Sequence, residues 1–122
     1  MKLIFDYPPS ELLPNRKADR WTKGRATKQT RQAARLEAYA QWCQMESEEI
    51  TACTLTITYY PPNGHIADFD SLFRATKPII DGIVDAGILA DDSHKVVKQV
   101  TLRIAEPDKH HPRTEIDIEG RA

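Results

Sequence analysis

The chemistry of this chain concentrates in residues 68–92. Asp68 and Asp70 flank Phe69, so two carboxylates stand two positions apart. In extended backbone, alternate side chains share a face. Further along, Asp91 and Asp92 follow Gly87, Ile88, Leu89 and Ala90. A helix that returns antiparallel to its starting strand brings this acidic turn back toward Asp68 and Asp70. Three carboxylates converging on one point repel each other in a partly buried site. A hard divalent cation such as Mg²⁺ resolves that repulsion, because it takes oxygen ligands and keeps several of its waters. Such a centre activates water and steadies charge on a phosphoryl group. The competing reading of the same acids is structural. Asp favours turns, and Asp70 or Ser71 suits the cap of a following helix. Arg74 and Lys77 follow Asp70 at i+4 and i+7, so all three share one helix face. Either cation suits a scissile phosphate, and either also reads as a solvated helix residue.

Other motifs exclude several chemistries. His65, His94, His110 and His111 show no HxxxH or Cys/His spacing, which argues against a zinc site. There is no GxxxxGK[ST] and no GxGxxG, so no nucleotide cofactor is indicated. No GxSxG nucleophile elbow occurs. The two cysteines, Cys43 and Cys53, lack a CxxC spacing; they fit a reducing cytosol and a packing role.

Length and composition bound the scaffold. The 122 residues predict one domain over 1–122. With 40% hydrophobic and 29% charged residues, the chain is neither disordered nor membrane-embedded. No apolar run approaches the roughly 20 residues of a spanning helix. The opening Met1–Phe5 meets Asp6, Pro8 and Pro9, unlike a signal peptide, so a cytoplasmic location is expected. Charge is uneven. Residues 1–35 hold nine Lys/Arg against three acids, and residues 36–122 hold eight against fifteen. Such asymmetry points to a polyanion at the basic end, or else to a solvated surface that happens to be basic.

The elements that must position these residues follow from periodicity. A short strand is expected at 2–6, then a loop over 7–25 with Pro8, Pro9, Pro14 and Gly24. A helix is expected at 26–47, on which Lys28, Arg31 and Arg35 share a face with Arg25. Residues 51–60 alternate cleanly, with Cys53, Leu55, Ile57 and Tyr59 on one side. A second helix is expected over 71–86, with Gly87 just past its end. Pro78 predicts a kink there, or a start near Lys77. Strands at 96–104 and 114–119 follow, joined by the polar loop 105–113 as a hairpin. The resulting fold class is α/β (α+β): a small mixed sheet of about four strands with two main helices.

The run from Asp68 to Asp81, then Gly87 to Ser93, resembles the RusA family of Holliday junction resolvases, mostly phage- or prophage-encoded endonucleases. Their pattern is D-x-D-N, a helix lysine followed four residues on by Asp, a glycine, and a D-D turn. Pro8-Pro9-Ser10 with Asn15-Arg16 is similar to the family's opening segment. The resemblance covers essentially the whole chain. It implies a homodimeric, Mg²⁺-dependent crossover junction endodeoxyribonuclease (Mn²⁺ being a substitute) that cuts branched DNA in recombination and repair. By position it implies Asp68, Asp70 and Asp92 as metal ligands, with Asp91 their neighbour, and Lys77 as the active-site lysine. The chain departs from the pattern in two places. Ser71 replaces the Asn, and Lys77 lies seven residues after Asp70 instead of four, which leaves Arg74 at the unshifted position. The basic role therefore stands open between Lys77 and Arg74. The basic residues Arg16, Lys17, Arg20, Lys23 and Arg25 are the expected DNA-backbone contacts, and Trp21 among them reads either as a stacking platform for an unpaired base or as a structural residue. The alternative to a working enzyme is a catalytically impaired prophage protein that binds junctions without cutting them.

Overall fold

The computed structural model describes residues 1–13, 19–45 and 47–121. The order is β1 (Lys2–Asp6), a short 3₁₀ turn (Ser10–Leu12), α1 (Arg20–Trp42), β2 (Ala52–Tyr60), α2 (Phe69–Asp85), β3 (Val97–Ile104) and β4 (Arg113–Arg121). The four strands form one mixed sheet in the order β1-β4-β2-β3. Only β2 and β3 are parallel, joined through α2; β4 runs antiparallel to both β1 and β2. The expected α+β class with a small mixed sheet and two helices is what the chain adopts.

Alternation in β2 does what its period demands. Cys53, Leu55, Ile57 and Tyr59 are buried, while the threonines between them lie on the other face. From β4, Thr114, Ile116 and Ile118 join the buried side, as do Leu3 and Phe5 from β1. Against this face pack Ala34 and Ala38 of α1 and Leu72, Ile79, Ile80 and Ile83 of α2. Cys53 has the packing role expected of it, but Cys43 is exposed.

The hairpin expected between 96–104 and 114–119 does not form, because β2 separates β3 from β4. The reason lies in side-chain character. A central strand must offer apolar residues to the core, and β4 does. In β3, Lys98, Gln99, Val100 and Thr101 are exposed, which suits a sheet edge. The opposite edge, β1, is covered by a side chain. The Gln41 amide accepts a bond from the Ile4 N–H at 2.9 Å and donates one to the Ile4 carbonyl at 2.8 Å, copying a strand's pairing pattern.

Both helices start earlier than their periodicity suggests. The α1 helix begins at Arg20, where the Asp19 carboxylate accepts a bond from the Thr22 N–H at 2.7 Å. The segment expected to be a loop up to residue 25 is thus helical from Arg20, and Arg20, Lys23 and Arg25 stand on a rigid helix. Arg16 and Lys17 lie outside the described residues, as does Asn15. At its other end α1 stops at Trp42, short of residue 47. The α2 helix begins at Phe69 and runs through Pro78, which is buried, instead of starting near Lys77.

The two helices meet closely at Gly82. A Cβ there would lie 2.7 Å from the Ala34 Cβ and 2.7 Å from the Arg31 carbonyl oxygen. Past the end of α2, Gly87 adopts φ +86, as its expected place beyond the helix requires. The Gly87 N–H donates to the Val84 carbonyl and the Ile88 N–H to that of Ile83. This paired pattern, with Ile83 and Ile88 both buried, is a Schellman stop. Ile50 then clamps the outgoing chain: its N–H donates to the Ile88 carbonyl, and its own carbonyl accepts from the Ala90 N–H. The acidic turn at 91–92 therefore starts from a fixed point.

Candidate active site

Helix α2 carries most of the candidate residues along its length. Asp68 occupies the position just before the first helical residue, yet its side chain makes no capping bond. Asp70 lies in the first turn, where the helix dipole favours a negative charge. Neither Asp70 nor Ser71 serves as the cap. Asp68 and Asp70 are exposed and, among the described residues, neither carboxylate takes a hydrogen bond or ion pair from the protein.

Lys77, two turns further on, is heavily engaged. Its ammonium donates to Asp81 Oδ1 at 2.7 Å and to Asp92 Oδ2. The clamp at Ile50 and the stop at Gly87 are what bring Asp92 back over the middle of α2. From α1, Arg31 grips Asp85 with two bonds, Nε to Oδ2 at 2.6 Å and a terminal nitrogen to Oδ1 at 2.9 Å. The Arg31 guanidinium also lies 3.9 Å from Asp81 Oδ2. A ladder of alternating charge thus runs from Asp85 through Arg31, Asp81 and Lys77 to Asp92. Burial pulls the Lys77 ammonium down, but its hydrogen bonds to Asp81 and Asp92 outweigh this and hold it above the ordinary lysine value. The bond from Lys77 holds the Asp92 carboxyl below the usual carboxylate range. Arg31 does the same for Asp85.

The expected meeting of Asp68, Asp70 and Asp92 does not occur as a three-carboxylate cage. Among the described residues, no group of three or more His, Cys, Asp and Glu is arranged to hold a metal ion. The spacing explains this. Seven residues place Lys77 roughly 10 Å along the axis from Asp70, and Asp92 follows Lys77. What remains at the head of α2 is two carboxylates without a partner among the described residues. That donor set fits Mg²⁺, which commonly takes one or two protein carboxylates and completes its shell with water and phosphate. Asp91 is exposed beside Asp92 and forms no ion pair among the described residues.

Arg74 and Lys77 open onto the same groove. It measures about 420 Å³ and is lined by Ser71, Arg74, Lys77 and Asp81 of α2, together with Lys23 and Thr27 of α1. The two cations differ in state. Lys77 is bound to two carboxylates, whereas Arg74 is exposed and forms no ion pair within 4 Å among the described residues. Among the described residues, Lys23 is the one expected DNA contact that reaches this groove. Arg20 and Arg25 instead line a separate surface recess with Trp21, Gly24 and Lys28.

Sequence reasoning missed Arg31 and Asp85. Arg31 reads as one more cation on a basic face, and only the close helix crossing at Gly82 turns it toward α2. A signal was present on the other side: Lys77, Asp81 and Asp85 follow i, i+4, i+8, a continuous charged stripe.

No helix among the described residues is long and apolar enough to cross a membrane. No protein-family model matches the chain. The chain is similar to an uncharacterized protein of Xylella fastidiosa (strain Temecula1 / ATCC 700964), 29% identical over 119 residues, spanning 97% of this chain and 75% of that protein.

Proposed function

We propose that the chain is a Mg²⁺-dependent, structure-specific endodeoxyribonuclease of the RusA type, resolving four-way DNA junctions in the cytoplasm as a homodimer. One observation carries the reading. A groove with the cations Arg74, Lys77 and Lys23 lies along the helix whose start presents two carboxylates, Asp68 and Asp70, unpartnered among the described residues. Cations that bind phosphate beside carboxylates that bind a hard metal are the parts phosphodiester hydrolysis needs. Asp68 and Asp70 would hold Mg²⁺. When bound, the metal lowers the pKa of the attacking water and offsets phosphoryl charge. Arg74, which forms no ion pair among the described residues, meets the scissile phosphate. Lys77 orients Asp92 and stands ready to donate to a phosphate oxygen. Two identical sites related by a dimer axis match the two-fold cut positions of a junction. Lys23 in the groove follows the DNA backbone, and Arg20 and Arg25 on another side of α1 add phosphate contacts, with affinity that falls with salt.

A second reading has its own observation. Asp92 is turned onto Lys77 and not toward Asp68 and Asp70, an arrangement suited to a protein that binds junctions without cutting them. Incubation with four-way, three-way, flap and linear DNAs, in Mg²⁺ and in EDTA, separates the two. Mg²⁺-dependent nicks confined to the four-way junction support the nuclease. A retarded but intact junction supports the binding protein.

A further inference from the structure

The basic part of α1 divides into two faces, and only one serves the groove. Lys23 and Thr27 line the groove beside α2, while Arg20, Trp21, Gly24, Arg25 and Lys28 line a recess of about 470 Å³ on a different side of the helix. Trp21 is 81% exposed. No other ring or guanidinium covers it among the described residues, where the ring contacts are Tyr7 with Tyr59, Tyr39 with Trp42, and Arg113 over Tyr60. Such exposure removes a packing role for Trp21. It leaves one of the chain's two tryptophans facing water on a capped helix. Its surroundings are mostly basic, the acid nearest in sequence being Asp19, whose carboxylate caps the helix at the Thr22 N–H and acts on Arg25. From Arg20 to Arg35 there are six Lys/Arg and no acid. Of these, Arg20, Arg25 and Lys28 form no ion pair within 4 Å among the described residues, unlike Arg31, which is committed to Asp85.

We propose that this face of α1 is a stacking site for an unpaired DNA base. Trp21 is its platform, and Arg20, Arg25 and Lys28 hold the neighbouring phosphates. A lone exposed indole ringed by cations fits single-stranded nucleic acid: every base offers a π-face to stack on, and each nucleotide brings a phosphate. A lipid surface would call for a continuous apolar stripe, whereas the residues beside Trp21 are Gly24, Arg25 and Lys28. The inference rests on the reading of the chain as a DNA-binding protein, but not on cleavage. It places strand-opened DNA at a distance from the groove, so that one molecule holds duplex backbone and unpaired base at once.

The test is binding in EDTA, where no cutting occurs. The probe is a fluorescent oligothymidylate of about 12 nucleotides, with a duplex of equal length as control. Trp21→Ala is expected to weaken single-strand binding about tenfold or more, with Trp21→Phe staying within about threefold and duplex binding little changed. In the unaltered protein the oligonucleotide is expected to quench a tryptophan emission that Trp21→Phe lacks, a readout independent of how the Ala variant folds. Single-strand affinity within twofold for Trp21→Ala, together with unquenched emission, would overturn the proposal. So would binding to anionic vesicles with no affinity for the oligonucleotide. Failure of the nuclease reading shows separately, as an uncut junction in Mg²⁺ with this binding intact.

Discussion

In the first turns of α2, Asp70 and Arg74 stand exposed without an ion pair among the described residues, and Asp68 just ahead of them makes no capping bond. In its later turns, Lys77, Asp81 and Asp85 are all paired, with each other, with Asp92 or with Arg31 of α1. One helix thus carries open charge at one end and satisfied charge at the other. The satisfied end sits where α1 crosses closely at Gly82, so side chains from two elements meet. The open end faces away from that crossing. Paired charges hold the scaffold and fix Lys77, while the unpaired ones are those the proposed function assigns to metal and phosphate.

Removing an open carboxylate is the strongest way to break this contrast. Asp70→Asn is expected to lower Mg²⁺-dependent junction cleavage by about 10²-fold or more, with a change in folding below about 1 kcal/mol, since the exposed carboxylate gives the helix only its dipole interaction among the described residues. A melting curve beside the cleavage assay checks both halves of that statement. Next in size is the crossing itself. Gly82→Val places new carbon against Ala34 and the Arg31 carbonyl and should destabilise the fold by about 2 kcal/mol. Urea unfolding measures it, and an unchanged midpoint would mean that the helices are free to part.

The satisfied end is sharpened by pH. The Asp92 carboxyl is held below its ordinary value, first by the bond from Lys77. Its contribution to stability is therefore present above the unfolded value of about 4 and is lost as pH falls through the depressed folded value. Lys77→Met should shrink that acid-side loss and move the Asp92 titration, followed by carbon NMR, back toward about 4. The Lys77 ammonium behaves oppositely: its raised value keeps its contribution up to about pH 10 and loses it above that. The smallest effect belongs to Arg74→Gln, which should leave stability alone and reduce the salt slope of duplex binding by about 0.9.

What the sequence disclosed followed from local rules. The alternation in 52–60 set both the buried face and the strand, because Cys53, Leu55, Ile57 and Tyr59 leave one consistent side for the core. Gly87 announced the end of α2 because a positive φ there is cheap for glycine alone. The lapses came where distant parts decide. Asp19 moved the start of α1 six residues ahead of the expected 26, and a buried Pro78 stayed inside α2 because packing outweighs one missing backbone bond. The hairpin was inferred from adjacency along the chain, yet the apolar face of β4 drew that strand between β1 and β2. At the site, Asp68, Asp70 and Lys77 were legible as types at a spacing. The ladder from Arg31 to Asp92 was not, since it exists only once α1 crosses α2.

The most direct test uses a supercoiled plasmid bearing an inverted repeat that extrudes a cruciform, incubated with the purified protein in Mg²⁺. Paired cuts across one junction convert the plasmid to the linear form, and Asp70→Asn should leave it supercoiled. A plasmid left intact by the unaltered protein, or cut equally well by Asp70→Asn, would contradict the account.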